Sequence, residues 1–350
     1  MASLSDIALA PSRPARLHLW LAAALVLAAL ASLQVGAADV TLSALAGKFM
    51  RGEALSPLER LILWDIRLPR LAMGALVGAG LAVSGAILQG LFRNPLADPG
   101  IVGVTAGGML GAILAIVLGG LLPAAHLART GGQLVPLAAF LGSWGATLLL
   151  YRVSTRGGRT SVATMLLAGI ALAALAGALA GILIYMADDQ QLRDLTFWNM
   201  GSLAGASWPK VLAAGPLVAL ALGAAMTLGR GLNGLAMGEA TAAHIGINVQ
   251  RLKTAAVLCA AAATGAAVAI AGAIGFVGIV VPHLVRLAAG PDHRTLLPAS
   301  ALLGATLLTL ADVIARVIVA PAELPIGIVT AVLGAPVFLW ILLRRKGGLA

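Results

Sequence analysis

Runs of about 20 largely apolar residues recur from one end of this chain to the other, and each run of that length crosses a bilayer core as a helix. That recurrence constrains the fold more than any other feature. A lipid-spanning backbone must satisfy its own hydrogen bonds, which leaves helices or a closed barrel, and runs this long are helical. Of the 350 residues 60% are hydrophobic and 10% charged, more apolar surface than a water-facing exterior can hide. The 43 glycines fit the same picture, because helices that meet in lipid are drawn together by close backbone packing.

The expected spans are 17–37, 67–91, 99–121, 133–151, 161–186, 208–229, 252–274, 276–289, 295–319 and 325–343. The fold class is therefore all-α, a polytopic membrane protein of about ten transmembrane helices forming a single domain over 1–350. The stretch 252–289 is too long for one crossing and too short for two. Its centre, Gly272-Ala-Ile-Gly275-Phe-Val-Gly278, can turn tightly, so the break is placed there and a short eighth helix is expected, buried by its neighbours. The first apolar run follows Arg13 and Arg16 but lacks a convincing cleavage site before Asp39, so it reads as a retained helix.

A net charge of +10 suggests nucleic acid in a soluble protein, but here the basic residues are scattered among short loops and read as cytoplasmic anchors. With the N-terminus inside, the inner segments hold Arg13, Arg16, Arg93, Arg152, Arg156, Arg159, Arg230, Arg251, Lys253, Arg286, Arg294, Arg344, Arg345 and Lys346. They hold only Asp6, Asp98, Glu239 and Asp292 in opposition. Both termini are then expected in the cytoplasm. The lone Cys259 excludes an intrachain disulfide.

Gly78-Ala-Gly-Leu-Ala82-Val-Ser-Gly85-Ala86-Ile87 aligns with Gly265-Ala-Ala-Val-Ala269-Ile-Ala-Gly272-Ala273-Ile274. The match relates the second span to the seventh. It predicts an inverted repeat of two five-helix halves, about 17–186 and 208–343. Chance similarity in an Ala/Gly-rich chain is the alternative.

Six motifs follow in order: Arg67-Leu-Pro-Arg70, Gln89-Gly-Leu-Phe-Arg93-Asn94-Pro95-Leu-Ala-Asp98-Pro99, Gly275-Phe-Val-Gly278-Ile-Val-Val-Pro282-His283-Leu-Val-Arg286, Asp292-His293-Arg294-Thr-Leu-Leu-Pro298, Ala311-Asp312-Val-Ile-Ala-Arg316 and Glu323-Leu-Pro325-Ile-Gly327-Ile-Val-Thr330. Together they resemble the permease family of ABC importers for iron-siderophores, haem and vitamin B12, over about 60–345. The resemblance implies a homodimeric permease in the bacterial inner membrane, with the pore along the dimer axis. Two ATPase subunits would dock on the cytoplasmic side and a periplasmic binding protein would deliver substrate. No cofactor is expected on this chain; ATP and Mg would sit on the partner ATPase. None of Lys48, Lys210, Lys253 and Lys346 lies in a Gly-x-x-x-x-Gly-Lys-Ser/Thr frame, so the energy must come from a partner and the chain is not itself an enzyme.

Within segment 230–251, Gly238-Glu239-Ala240-Thr-Ala-Ala-His244-Ile-Gly246 resembles the short helix–turn–helix by which such permeases engage their ATPase. Glu239 suits a helix start and Gly246 a helix end. The resemblance places Arg67, Arg70 and Arg316 near the binding-protein salt bridges, as exposed guanidinium groups on a rigid outer rim, suited to two-point recognition of carboxylates. Arg316 is four residues after Asp312, so an intrahelical pair is an equal reading, and Arg70 can anchor a helix end. The fifth and tenth spans would line the pore, with Gly169, Gly177, Gly181, Gly327 and Gly334 as candidates; the same glycines can equally be packing contacts. His244, His283 and His293 do not form a metal-ligand spacing, and no metal site or catalytic residue is expected.

The sequence segment 196–208 resembles haem permeases, so haem is the expected substrate, with a ferric siderophore or vitamin B12 as alternatives. An ion-coupled secondary transporter, the rival class, would need carboxylates near mid-membrane, where only Asp312 comes close.

Overall fold

The computed structural model describes residues 13–36, 40–123, 132–157 and 159–346; Asp6 and Asp39 lie outside them. The chain is helical almost throughout. In order the helices are α1 (Arg13–Gln34), α2 (Leu42–Met50), α3 (Pro57–Leu91), α4 (Val104–Leu118), α5 (Leu134–Ser154), α6 (Val162–Met186) and α7 (Asp189–Met200). They continue as α8 (Trp208–Thr227), α9 (Gly229–Ala236), α10 (Glu239–His244), α11 (Val249–Ala271), α12 (Val277–Ala289), α13 (His293–Val317) and α14 (Ile326–Lys346). A two-stranded hairpin, β1 (Thr155–Arg156) and β2 (Arg159–Thr160), joins α5 to α6.

Among the described residues, eight helices are long and apolar enough to cross a membrane: α1, α3, α4 (with the turn that follows it), α5, α6, α8, α11 and α13. The other two expected spans are the shorter apolar helices α12 and α14. Each expected span thus has a helix, with shifted ends. The largest shift is in α3, which begins ten residues before the expected 67–91, at Pro57. Ser56 caps it with a reciprocal Ser56–Glu59 capping box, and the helix passes through a seven-residue π-helical stretch, Leu61–Arg67, before the apolar run begins. The third expected span, 99–121, loses its first turn because Gly103 (φ 72°) breaks the chain between a 3₁₀ turn and α4.

The two helices that carry the sequence repeat form the centre. In α3 and α11, 78% of the most apolar window is buried within the chain, against 22% in α5 and α6. Small residues explain why. At Gly78 a methyl group would overlap the carbonyl of Gly304 on α13, and at Gly85 the carbonyl of Gly278 on α12. Backbones meet there directly, so the inner helices are wrapped on every side. The outer helices turn large apolar side chains outward, among them Leu167 (70% exposed) and Ile170 (67% exposed) on α6, as a lipid-facing or partner-facing wall requires.

The predicted break in 252–289 falls where expected. Helix α11 stops at Ala271, Gly272 takes φ 72° and Phe276 takes φ 67°, and α12 starts at Val277. The irregular backbone is sheltered by protein: Ser202 N–H donates to Ala271 O (2.8 Å) and Ala273 N–H to Trp198 O (3.4 Å). With 13 residues α12 spans about 20 Å, too short for a full hydrocarbon core.

Candidate functional site

Polar residues gather at the two ends of the bundle. At one end, the start of α3 meets the end of α13 and the loop before α14. Arg70 Nε donates to both oxygens of Asp312 (2.9 and 3.1 Å), and its Nη1 donates to Glu323 Oε1 at 2.8 Å. Arg316 Nη2 lies 3.2 Å from Asp312 Oδ2. Two cations therefore balance two anions. The neighbouring Arg67 donates through Nη1 to Leu33 O (2.5 Å) and Val40 O (2.6 Å), while Arg316 reaches Val35 O (3.0 Å) and Ser32 Oγ (2.9 Å). The two guanidinium groups thus satisfy carbonyls at the end of α1, where the helix has no donors of its own.

This corrects the expectation of guanidinium groups exposed on a rim. Arg67 is 4% and Arg70 7% exposed, and the Arg316 side chain is equally enclosed. The intrahelical Asp312–Arg316 pair is realised, and the exposed member of the network is Glu323.

At the opposite end lie both described termini of the chain, since α1 starts there and α14 runs toward it. The segment between α8 and α11 folds as the helix–turn–helix α9–α10. Gly238 takes φ 110°, Glu239 opens α10, His244 Nδ1–H donates to Ala240 O (2.7 Å), and Gly246 follows the helix with φ 87°. Three groups seat this segment on the bundle. Asn233 on α9 donates to Asp292 Oδ1 (2.6 Å) and accepts from the backbone N–H and Nδ1–H of His293, both at 2.9 Å. The amide of Asn233 holds the Asp292 carboxyl below the usual carboxylate range. Lys253, at the start of α11, pairs with Glu239 Oε1 at 2.7 Å. None of Asn233, Lys253 and Glu323 was singled out as a site residue from sequence, because their partners are distant in the chain. Nearby, Gln89 on α3 donates to Gly278 O (3.1 Å) and accepts from Arg286.

The five candidate pore glycines separate by environment. A side chain at Gly177 or Gly181 on α6 would meet nothing within the chain, whereas Gly327 abuts the carbonyl of Met200 and Gly334 lies under the Phe276 side chain. Gly169 is buried. Packing thus accounts for the two glycines of α14, and the open face of α6 is where Gly177 and Gly181 sit. Among the described residues no three His, Cys, Asp or Glu converge as metal ligands.

Apolar helices of crossing length, small-residue crossings at the centre and charge gathered at the two ends define a polytopic α-helical membrane protein. The chain belongs to the FecCD transport family, whose model matches residues 24–344. It is 47% identical over 282 residues to the hemin transport system permease protein HmuU of Yersinia pestis, covering 81% of this chain and 83% of that one. It is 45% identical over 287 residues to the cobalamin import system permease protein BtuC of Halobacterium salinarum, covering 82% and 74%. A solved structure of a metal-chelate type ABC transporter in an inward-facing conformation superposes with a TM-score of 0.82 at 33% identity, covering 94% of this chain and 99% of that one.

Proposed function

We propose that this chain is the permease subunit of a binding-protein-dependent ABC importer that moves haem from the periplasm to the cytoplasm. The observation that carries the reading is the match to FecCD proteins along nearly the whole bundle, at 47% identity to a hemin permease. The chain crosses the membrane ten times with both termini inside, and works as a homodimer with two ATPase subunits. The α9–α10 segment, with Gly238, Glu239, Ala240, His244 and Gly246, faces the ATPase, which carries ATP and Mg. The Arg70 end faces the binding protein. Docking through Arg67, Arg70 and Arg316 then requires incoming carboxylates to exchange with Glu323 and with the α1 carbonyls. The open face of α6, lined by small and aliphatic groups around Gly177 and Gly181, suits a flat apolar cargo that must not be retained. A second reading, ion-coupled transport, is disfavoured because the buried carboxylate Asp312 is already matched by Arg70 and Arg316.

Reconstitution of the permease with its ATPase and binding protein tests this. ATP hydrolysis is expected to rise more with haem-loaded binding protein than with ferric siderophore or cobalamin. Equal stimulation by all three removes haem as the preferred cargo. Accumulation driven by a proton gradient without ATPase overturns the assignment as a whole.

A further inference from the structure

Lys253 is a membrane-side ammonium that is 2% exposed. A charge so enclosed must be paired, and it has two partners on two different pieces of the chain. One is Glu239 Oε1 at 2.7 Å, on the first residue of α10. The other is the carbonyl of Thr160 at 2.9 Å, the last residue of the β1–β2 hairpin. Thr160 N–H is itself held by Gln250 Oε1 at 2.9 Å, one turn before Lys253 on α11. The next residue, Ser161, is the N-cap of α6 and accepts from Thr164 N–H at 3.2 Å. A single side chain therefore links the helix–turn–helix segment to the first turn of the helix whose open face carries Gly177 and Gly181.

We propose that Lys253 is the positioning residue that passes displacement of α10 to the start of α6, coupling ATP hydrolysis on the partner to movement of the membrane path. The inference rests on the permease reading above. The direction of transmission follows from packing. Helix α11, which carries Lys253, is 78% buried in its apolar window and is held by the centre of the bundle, while α6 is 22% buried. If α10 shifts, Lys253 keeps its carboxylate because an unpaired buried ammonium is costly. The strain then falls on the Thr160 carbonyl and on α6, the element less enclosed by its own chain. Glu239, with a side chain 45% exposed, stands between solvent and this link, where a docking partner can reach it.

The test uses the assembled transporter in proteoliposomes, with ATP hydrolysis and substrate uptake measured in the same vesicles. Lys253→Met keeps the aliphatic stem and removes the charge. It is expected to leave ATP hydrolysis within about twofold of wild type and to lower uptake per ATP by about five- to tenfold. Adding Glu239→Gln to Lys253→Met is expected to lower uptake per ATP no further, and Lys253→Arg to recover part of the coupling. Wild-type uptake per ATP in Lys253→Met overturns the proposal, as do additive effects in the double variant. A parallel loss of hydrolysis and uptake also overturns it, since it marks a merely structural lysine. If Lys253→Met does not assemble, Lys253→Gln, which keeps a donor and removes the charge, decides by the same ratio. Failure of the permease reading shows separately, as a wild-type chain that neither binds an ATPase nor takes up substrate with ATP.

Discussion

Arg70 grips Asp312 with a two-point hydrogen bond across 242 residues of sequence, pinning the start of α3 to the end of α13. Both side chains are almost wholly enclosed, and Arg316 and Glu323 complete the charge balance. Removing Arg70 leaves Asp312 with Arg316 as its remaining cation and the network with an uncompensated negative charge. Arg70→Met is therefore expected to destabilise the protein by about 3–5 kcal/mol. Asp312→Asn leaves two guanidinium groups facing each other and should behave similarly. Glu323→Gln, at the exposed edge of the network, should cost no more than about 1 kcal/mol. Thermal unfolding of the purified protein in detergent checks the ranking. Comparable losses for Arg70→Met and Glu323→Gln would show that the network is not closed as described.

The glycines give a second contrast. Gly334 sits under the Phe276 side chain, and Phe276 holds φ 67°, a conformation that non-glycine residues adopt only when packing enforces it. Gly334→Ala should drive a methyl into that ring and cost about 1–3 kcal/mol. Gly177→Ala meets nothing within the chain and improves helix propensity, so it should be neutral or stabilising by up to about 1 kcal/mol. If α6 faces the transport path, Gly177→Leu should keep the unfolding temperature while reducing uptake. Unfolding curves and uptake assays on the same preparations separate the two roles.

Much of the fold was legible because lipid makes hydrophobic length decisive, and each expected span has its helix. The break at Gly272 was also readable, since Gly272, Gly275 and Gly278 fall within seven residues there. Two helix starts were present in the sequence but unread. Ser56-Pro57-Leu58-Glu59 and Asp188-Asp189-Gln190-Gln191 both spell capping boxes, and both open helices, α3 ten residues early and α7 between two spans. The polar clusters were less accessible. Glycines mark the α9–α10 turns, yet nothing local signals that Lys253 reaches Thr160 or that Asn233 reaches Asp292. Such pairs are set by how helices settle together. Arg67 shows the same limit: its sequence context suggests an exposed rim, and only the placement of the α1 carbonyls turns it inward.

Asn233 offers the last test, because three of its hydrogen bonds hold α9 on the start of α13. Asn233→Ala removes all three at a half-buried seat against the buried His293, at an expected cost of about 1–2 kcal/mol in local stability. The loss should be confined to the segment, so amide hydrogen exchange ought to rise across 229–246 while α3 and α11 stay protected. Acid should mimic the substitution. Asp292 has its pKa held down in the fold by the Asn233 amide. A carboxyl depressed in this way stabilises the folded form above its unfolded pKa and loses that contribution as pH falls through the folded value. Exchange in 229–246 is therefore expected to increase as the solution is taken below the ordinary carboxylate range. In Asn233→Ala the pH-dependent part should shrink, because the largest of the contributions that lower the Asp292 pKa is gone while the Arg294 backbone N–H still donates to the carboxylate. An unchanged pH response in the variant would mean that Asp292 is held by something other than Asn233.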